Sequence, residues 1–426
     1  MLHNEGNQPN QFPSVKHRSA FTLIELLVVI AILAVLAVVV VLTLNPAGLL
    51  QESRDANRVS DMTTLNTAIS LYSADGGTAL GSSSVVYVSI PDPTATSTAG
   101  DQCQGLGLPT LPATYTYQCA ATSTYRSTNG TGWIPVNLSA ATFGTPLPQL
   151  PIDPINTSSS RHYYTYAANG TQFEVTASME STKYKLGGSG DVISGDGGTL
   201  ASVYEKGSKL GLEPLDYGDS SLVGLWTFDE GTGTIAYDYS GMNVTGTLMS
   251  SPTWVSGKVG SNALSFDGST NYTKIVGFQN FSGDFTVASW VYITASTTIQ
   301  QIPLTLMGDW NGPTMPPVLR GWGIASYECD GMTSGNPTRG PGSSGLATST
   351  WLMVACSDTG GTATIYVNGV AVSSGPLVNT PTPGTTTIYA ARNIGGYYFT
   401  GQQDDERIYT RALSAAEIKA MYNGGK

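Results

Sequence analysis

The chain has 426 residues, enough for two or three domains. Its 30 acidic residues against 19 basic ones leave a formal net charge of -11, which excludes non-specific nucleic-acid or anionic-membrane binding through a broadly basic surface. Hydrophobic residues make up 40% and charged residues 12%, so wholesale disorder is excluded and ordinary cores can form.

Residues 1–20 are polar and end in KHRSA. Residues 21–44 then read FTLIELLVVIAILAVLAVVVVLTL, an apolar run interrupted by one carboxylate, Glu25. A helix rises about 1.5 Å per residue, so this run is long enough to cross a bilayer core. The basic flank Lys16, His17 and Arg18 is expected to stay cytoplasmic. A signal peptide would place small residues after its apolar segment, whereas Ser19 and Ala20 precede this one. Cleavage there would remove the leader and keep the helix. A carboxylate in hydrocarbon is costly, and a partner cation lowers that cost. The plainer reading is a single-pass anchor with Glu25 near the headgroups.

The stretch SAFTLIELLVVIAILAVLAVVVVLTLNPAGLLQESRDANRVSDMTTLNTAISLY resembles the start of type IV pilins and type II secretion pseudopilins. The resemblance implies that a prepilin peptidase cuts between Ala20 and Phe21. It also implies that the new amino group of Phe21 is methylated. Ala20 departs from the glycine usual before the cut. Glu25 falls at the family's glutamate, which implies a filament-assembly contact with a neighbouring subunit's new amino terminus. An inner-membrane assembly platform and a homo-oligomeric helical filament follow as expected partners.

Residues 21–76 read as a long helix in which Pro46 and Gly48 predict a break. Beyond it, Val59, Met62, Leu65, Ile69 and Tyr72 form one apolar stripe, while Arg54, Asp55, Arg58 and Asp61 read as its decoration. Gly76 and Gly77 end the helix. Residues 77–215 are expected to be the β head of a pilin. SSVVYVSI and YTYQCA read as strands there, GWIPVNL as a strand or supported loop, and a hairpin turns at Asn169–Gly170. Asp153, in the loop before that hairpin, reads as a turn cap. LGGSGDVISGDGG reads as a flexible loop, and the segment after it as a returning edge.

A junction is expected at residues 216–221, followed by many short strands in residues 222–426. WTFDE, ALSFDG, YVNGV and DDERIYTRALSAAEI occur there in an order that resembles the laminin-G-like, concanavalin-A-like jelly roll. The expected fold class is therefore an α+β pilin followed by an all-β sandwich. The resemblance implies a glycan- or protein-binding module. No ExDxxE strand appears, so no catalytic residue and no required cofactor are expected. A membrane-tethered carbohydrate-active enzyme is the alternative, as is a minor pilin or pseudopilin that primes or caps a filament.

Asp404, Asp405 and Glu406 are expected near the domain edge. Relatives suggest a structural calcium, for which Asp229, Asp238 and Asp404 are the candidate ligands. Trp310 and Trp322 flank a Gly/Pro-rich loop and are candidate ligand contacts. Tyr397 and Tyr398 raise the same question. Trp226, Trp290 and Trp351 read as core. If the chain is exported, one disulfide per domain is expected, with Cys103 and Cys119, and Cys329 and Cys356, as the candidate pairs among the three pairings that four cysteines allow.

Overall fold

The structure is a computed structural model that describes residues 22–95, 103, 105–112, 114–294, 318–321, 326–333, 336–344, 346–380, 384–392 and 398–425. The chain divides into two compact units, Met1–Leu50 and Gln51–Lys426.

In the first unit, α1 spans Leu23–Leu44. Its start is fixed by Thr22, whose side chain forms a capping box with Glu25. Its surface is apolar and open: Leu23 is 83% exposed and Val35 65%. Among the described residues no helix is long and apolar enough to cross a membrane. Side chains are described only to Val38, whereas the helix itself continues to Leu44. α1 ends at Asn45, which takes a left-handed conformation with φ 39°. α2, Pro46–Ala74, begins at once. Proline suits this first helical position because its missing N–H would have no intrahelical partner there. Asn45 Oδ1 accepts from the Gly48 N–H at 3.2 Å. The expected interruption is thus a single residue between two helices.

In the second unit, residues 51–74 of α2 lie on a five-stranded sheet in the order β2-β1-β3-β4-β5. These strands are β1 Val85–Asp92, β2 Thr116–Ala121, β3 Tyr164–Ala168, β4 Phe173–Ser178 and β5 Val203–Gly207. β1 and β2 run parallel and the other pairs antiparallel. β3 and β4 form the expected hairpin, with Gly170 at φ 93° where a side chain would be strained. β5 is the returning edge. Met62, Leu65, Ile69 and Tyr72 pack against Tyr87, Trp133, Tyr164, Tyr166 and Val175. Each such side chain contributes about 1.5–3 kcal/mol by burial. The opposite face is covered too. Val86, Val88 and Ile90 meet Leu200, Leu215, Tyr217 and the Cys103–Cys119 disulfide. GWIPVNL is a supported loop, with Trp133, Ile134, Val136 and Leu138 buried.

The remaining strands build the sandwich. They are β6 Leu222–Trp226, β7 Ile235–Ala236, β8 Gly246–Met249, β9 Thr253–Ser256, β10 Asn262–Asp267, β11 Tyr272–Gln279 and β12 Phe285–Ile293. β13 Val318–Gly321, β14 Ser326–Thr333, β15 Asn336–Ser344, β16 Trp351–Thr359 and β17 Thr362–Val367 follow. β18 Val370–Pro376, β19 Thr385–Ala390 and β20 Thr400–Tyr409 complete it, and α3 Ala415–Gly424 closes the chain. The larger sheet runs β18-β17-β16-β12-β20-β10-β9, with β6 also pairing β20. The smaller runs β19-β11-β8-β7. β13, β14 and β15 form a third sheet. Trp226, Phe266, Phe278, Val291 and Ile408 fill the space between the two main sheets, beside the Cys329–Cys356 disulfide.

Two expectations need correcting. Asp404, Asp405 and Glu406 do not lie near an edge: β20 is central, hydrogen-bonded to β12, β10 and β6. A run of adjacent acids looks like an edge or a loop, but here the strand is covered on both faces. LGGSGDVISGDGG is likewise a built loop. Asp191 accepts from the N–H groups of Gly187, Ile193 and Ser194, and Asp196 from those of Gly198 and Glu205.

Candidate assembly and binding sites

The assembly candidate is the start of α1. The Thr22 N–H and hydroxyl both donate to Glu25 Oε2, at 2.9 and 2.7 Å, and the Glu25 N–H donates to Thr22 Oγ1 at 3.3 Å. Glu25 therefore caps its own helix through one oxygen. Oε1 accepts no hydrogen bond among the described residues and the side chain is exposed, so it can meet a cation from outside the helix. Ala20 and Phe21 lie outside the described residues.

A second charged group holds α2 to the head. Arg58 is fully buried and forks onto Asp153, Nε to Oδ2 at 2.6 Å and Nη2 to Oδ1 at 3.0 Å. Its Nη1 reaches Asp55 at 2.7 Å and Glu180 at 3.3 Å. Asp55 also accepts from the main-chain N–H groups of Glu180 and Ser181. Asp153, expected as a turn cap, accepts from Ile155 and Asn156 and is an ion-pair partner as well. Arg58 and Asp55, expected as decoration of the helix, are instead part of its buried face. A signal for this is present in the sequence: positions 55, 58, 62, 65, 69 and 72 share one helical phase, so Arg58 belongs to the buried stripe, and Val59 is only half-buried.

Residues 216–221 are not a loose connection. Asp216 and Tyr217 are buried. Asp216 accepts from the N–H groups of Ala201 and Ser202, and lies 3.8 Å from Arg407 of β20. Arg407 is buried, donates to both oxygens of Asp405 at 3.0 Å and donates to the Thr199 carbonyl at 2.8 Å. Arg411 bridges Asp219 and Glu417, each at 2.7 Å. Leu186 of the head packs against the apolar cluster on the outer face of the larger sheet. The head therefore grips the sandwich through charge pairs and apolar packing within one compact unit.

Of the expected calcium ligands, Asp229 and Asp404 come together and Asp238 stands apart. Asp229 accepts from the N–H groups of Ser261 and Asn262, and Asp404 from those of Lys258 and Val259, so both hold one loop. Burial pushes the Asp404 carboxyl up to about 8, and the charges of Asp405 and Asp229 push the same way. Asp238 accepts from Leu225, Ser240 and Val244 around its own turn. Among the described residues no three His, Cys, Asp or Glu side chains are grouped to hold a metal ion.

The outer face of the larger sheet carries Leu225, Ala288, Trp290, Met353, Ala355 and Tyr409, packed under Ile418 and Met421 of α3. The rings of Trp290 and Tyr422 stack at 5.6 Å. That face is apolar and covered. Glu406 is also buried, with both carboxyl oxygens lacking a hydrogen-bond partner among the described residues. Trp226 and Trp290 are core residues as expected, and Trp351 is half-buried against the outer cluster. Trp310, Trp322 and Tyr397 lie outside the described residues.

Residues 15–41 match the prokaryotic N-terminal methylation motif. Residues 267–419 match the concanavalin A-like lectin/glucanases superfamily. No curated protein matches the chain. Domain 4 of a GH43 extracellular arabinanase from Geobacillus stearothermophilus is similar at 20% identity and TM-score 0.35, covering 47% of this chain and 98% of that one. The binding domain of botulinum neurotoxin serotype D is similar at 15% identity and TM-score 0.39, over 48% of this chain and 52% of that one. A Trypanosoma rangeli sialidase is similar at 16% identity and TM-score 0.35, over 48% of this chain and 32% of that one. The chain thus joins a pilin-type methylation segment to a lectin-like sandwich.

Proposed function

We propose that this chain is a structural subunit of a type IV pilus-like surface filament that displays its sandwich as a glycan- or protein-binding module. The observation that carries the reading is α1, a methylation-motif helix whose apolar side chains stand exposed. Lipid before assembly and neighbouring helices after it are the two surroundings that suit such a surface. In this reading the chain inserts into the inner membrane and is cut by a prepilin peptidase before Phe21. It is methylated there and drawn by an assembly platform into a homo-oligomeric fibre outside the cell. Glu25 Oε1 then meets the amino terminus of the next subunit.

We assign no catalytic role. The covered outer face, the main-chain bonds to Asp404 and the Asp405–Arg407 pair support this, because glycosidase chemistry needs two carboxylates open to substrate. We propose no calcium at Asp229, Asp238 or Asp404, whose carboxylates already accept main-chain N–H groups. A minor subunit that primes or caps the fibre is the second reading. It is favoured by the large unit Gln51–Lys426, which every subunit of a bulk fibre would have to carry.

Glu25→Ala tests the assignment. Membrane insertion is expected to persist while filament yield, counted by electron microscopy, falls at least about tenfold, the loss of one buried charge pair. Normal yield from the variant would overturn the pairing. Immunogold labelling along the shaft, against labelling at tips alone, separates the bulk from the minor subunit.

A further inference from the structure

The outer face of the smaller sheet holds a group that the filament reading does not use. Thr273 and Ile275 of β11 are fully buried, so Tyr272 and Lys274, which alternate with them, face outward. Lys274 stands opposite Tyr389 of β19. The Arg392 guanidinium lies over three rings, 4.5 Å from the centre of Tyr272, 5.4 Å from Tyr398 and 5.7 Å from Tyr389. Tyr272 meets Tyr389 edge-on at 5.9 Å and Tyr398 at 6.1 Å.

The group is held by main chain. Arg392 and Tyr398 form an isolated antiparallel bridge, and the N–H of the buried Phe399 donates to the Ala391 carbonyl at 2.9 Å. Arg392 and its three tyrosines are all half-buried, so the cluster is neither core nor free side chain. None of the ion pairs among the described residues involves Arg392 or Lys274, and Arg392 Nε has no hydrogen-bond partner there. Two such cations beside three tyrosines are unusual in a chain of net charge -11.

We propose that Tyr272, Tyr389, Tyr398, Arg392 and Lys274 form a binding site for a saccharide that carries an anionic group, carboxylate or sulfate. The tyrosines offer apolar faces with polar rims, which suit the alternating apolar and hydroxyl surface of a sugar ring. Arg392 supplies a planar fork for the anion, pre-oriented by the rings beneath it, and Lys274 a second positive charge. The pre-orientation matters because less side-chain freedom is lost on binding. This rests on the reading of the sandwich as a displayed binding module and names the ligand class of that module.

The test uses the detergent-solubilised full chain and three probes titrated by calorimetry: oligogalacturonate, a sulfated galactan oligomer and the neutral galactan oligomer. One or both anionic probes are expected to bind, and whichever binds more tightly identifies the anion. The neutral one should bind at least about tenfold more weakly. Arg392→Gln should weaken anionic binding about tenfold, and Arg392→Lys should restore only part, because the charge returns without the fork. Lys274→Gln, on an outward position that cannot disturb the core, should weaken it about threefold and flatten its salt dependence. Equal binding of neutral and anionic probes, or Lys274→Gln and Arg392→Gln variants that bind like the parent, would overturn the site. No binding by a chain whose filaments still adhere to surfaces through the sandwich would also overturn it, while leaving the filament reading standing. Anionic binding by a chain that never enters filaments would support the site and sink the filament reading.

Discussion

α1 and the early part of α2 are inversions of one another. α1 exposes hydrocarbon, with Leu23, Ile24 and Val35 largely open. α2 buries charge, with Asp55 and Arg58 at zero exposure. Both break the ordinary rule of apolar inside and charged outside, for different reasons. α1 suits lipid or neighbouring helices, the surroundings of the filament reading proposed above. Arg58 is tolerated inside because its guanidinium meets the carboxylates of Asp153, Asp55 and Glu180, and because Asp55 and Asp153 also accept main-chain N–H groups. A buried charge survives when both partners and their remaining lone pairs are satisfied.

The largest effect expected from breaking this contrast is Arg58→Ala. It strands Asp55 and Asp153 in a dry site, at a cost of about 3–5 kcal/mol, read as a lower urea midpoint of the detergent-solubilised chain. Arg54→Ala removes a partner of the same Glu180 from a side chain that is 31% exposed and screened by solvent, and should lower the midpoint far less than Arg58→Ala. If the two variants were equally stable, burial would not be what distinguishes the pairs.

A pH-dependent effect comes from Glu406, which is buried like Arg58 but has no ion-pair or hydrogen-bond partner among the described residues. The next residue along the strand, Arg407, is committed to Asp405 and to the Thr199 carbonyl. Burial pushes the Glu406 carboxyl up to about 8, against an ordinary value of about 4.3 in the unfolded chain. The folded protein therefore keeps a proton that the unfolded chain releases between these two values. Stability falls as pH rises through that window and is level above it.

Glu406→Gln removes this titration. Parent and variant should nearly match at pH 4.5, and the variant should be more stable by up to about 5 kcal/mol at pH 9. Asp404 and Glu213, each also pushed up to about 8 by burial, add the same sign to both proteins and cancel in the difference. Urea denaturation at pH 4.5, 7 and 9 measures it, and a difference that does not change with pH would contradict an unpaired, proton-holding Glu406.

These residues also mark how far the sequence could be read. The apolar run, the Asn169–Gly170 hairpin and the sandwich strands follow from patterns within a few residues, and the disulfides from one cysteine pair lying in each half of the chain. Arg58 was readable in principle, since its helical phase is that of Met62 and Leu65, but its charge argued for the surface. Asp153 and Glu180 lie 95 and 122 residues further on, and no local pattern announces such partners. The same holds for Arg407, whose neighbours Thr199 and Asp216 come from the head and the junction, and for Arg392 with Tyr272, which comes from the distant β11. Sequence patterns report what one element needs; these sites depend on what the fold brings to it.

The smallest expected effect returns to the two units. The same capping box occurs twice, as Thr22 with Glu25 on α1 and as Ser414 with Glu417 on α3. In each, a hydroxyl accepts from the N–H three residues on while the glutamate accepts from the cap's own N–H. Local energetics are therefore alike, about 1 kcal/mol for loss of the hydroxyl. α3 covers the outer face of the larger sheet through Ile418 and Met421, so Ser414→Ala should lower the stability of Gln51–Lys426 by about that amount. α1 belongs to the other unit, so Thr22→Ala should leave the same urea transition unmoved. It should instead loosen Glu25, which loses its hydroxyl donor, and reduce filament yield while membrane insertion persists. Equal shifts of the urea midpoint in the two variants would mean that α1 folds cooperatively with the β unit, and the contrast between an anchor helix and a packed helix would fail.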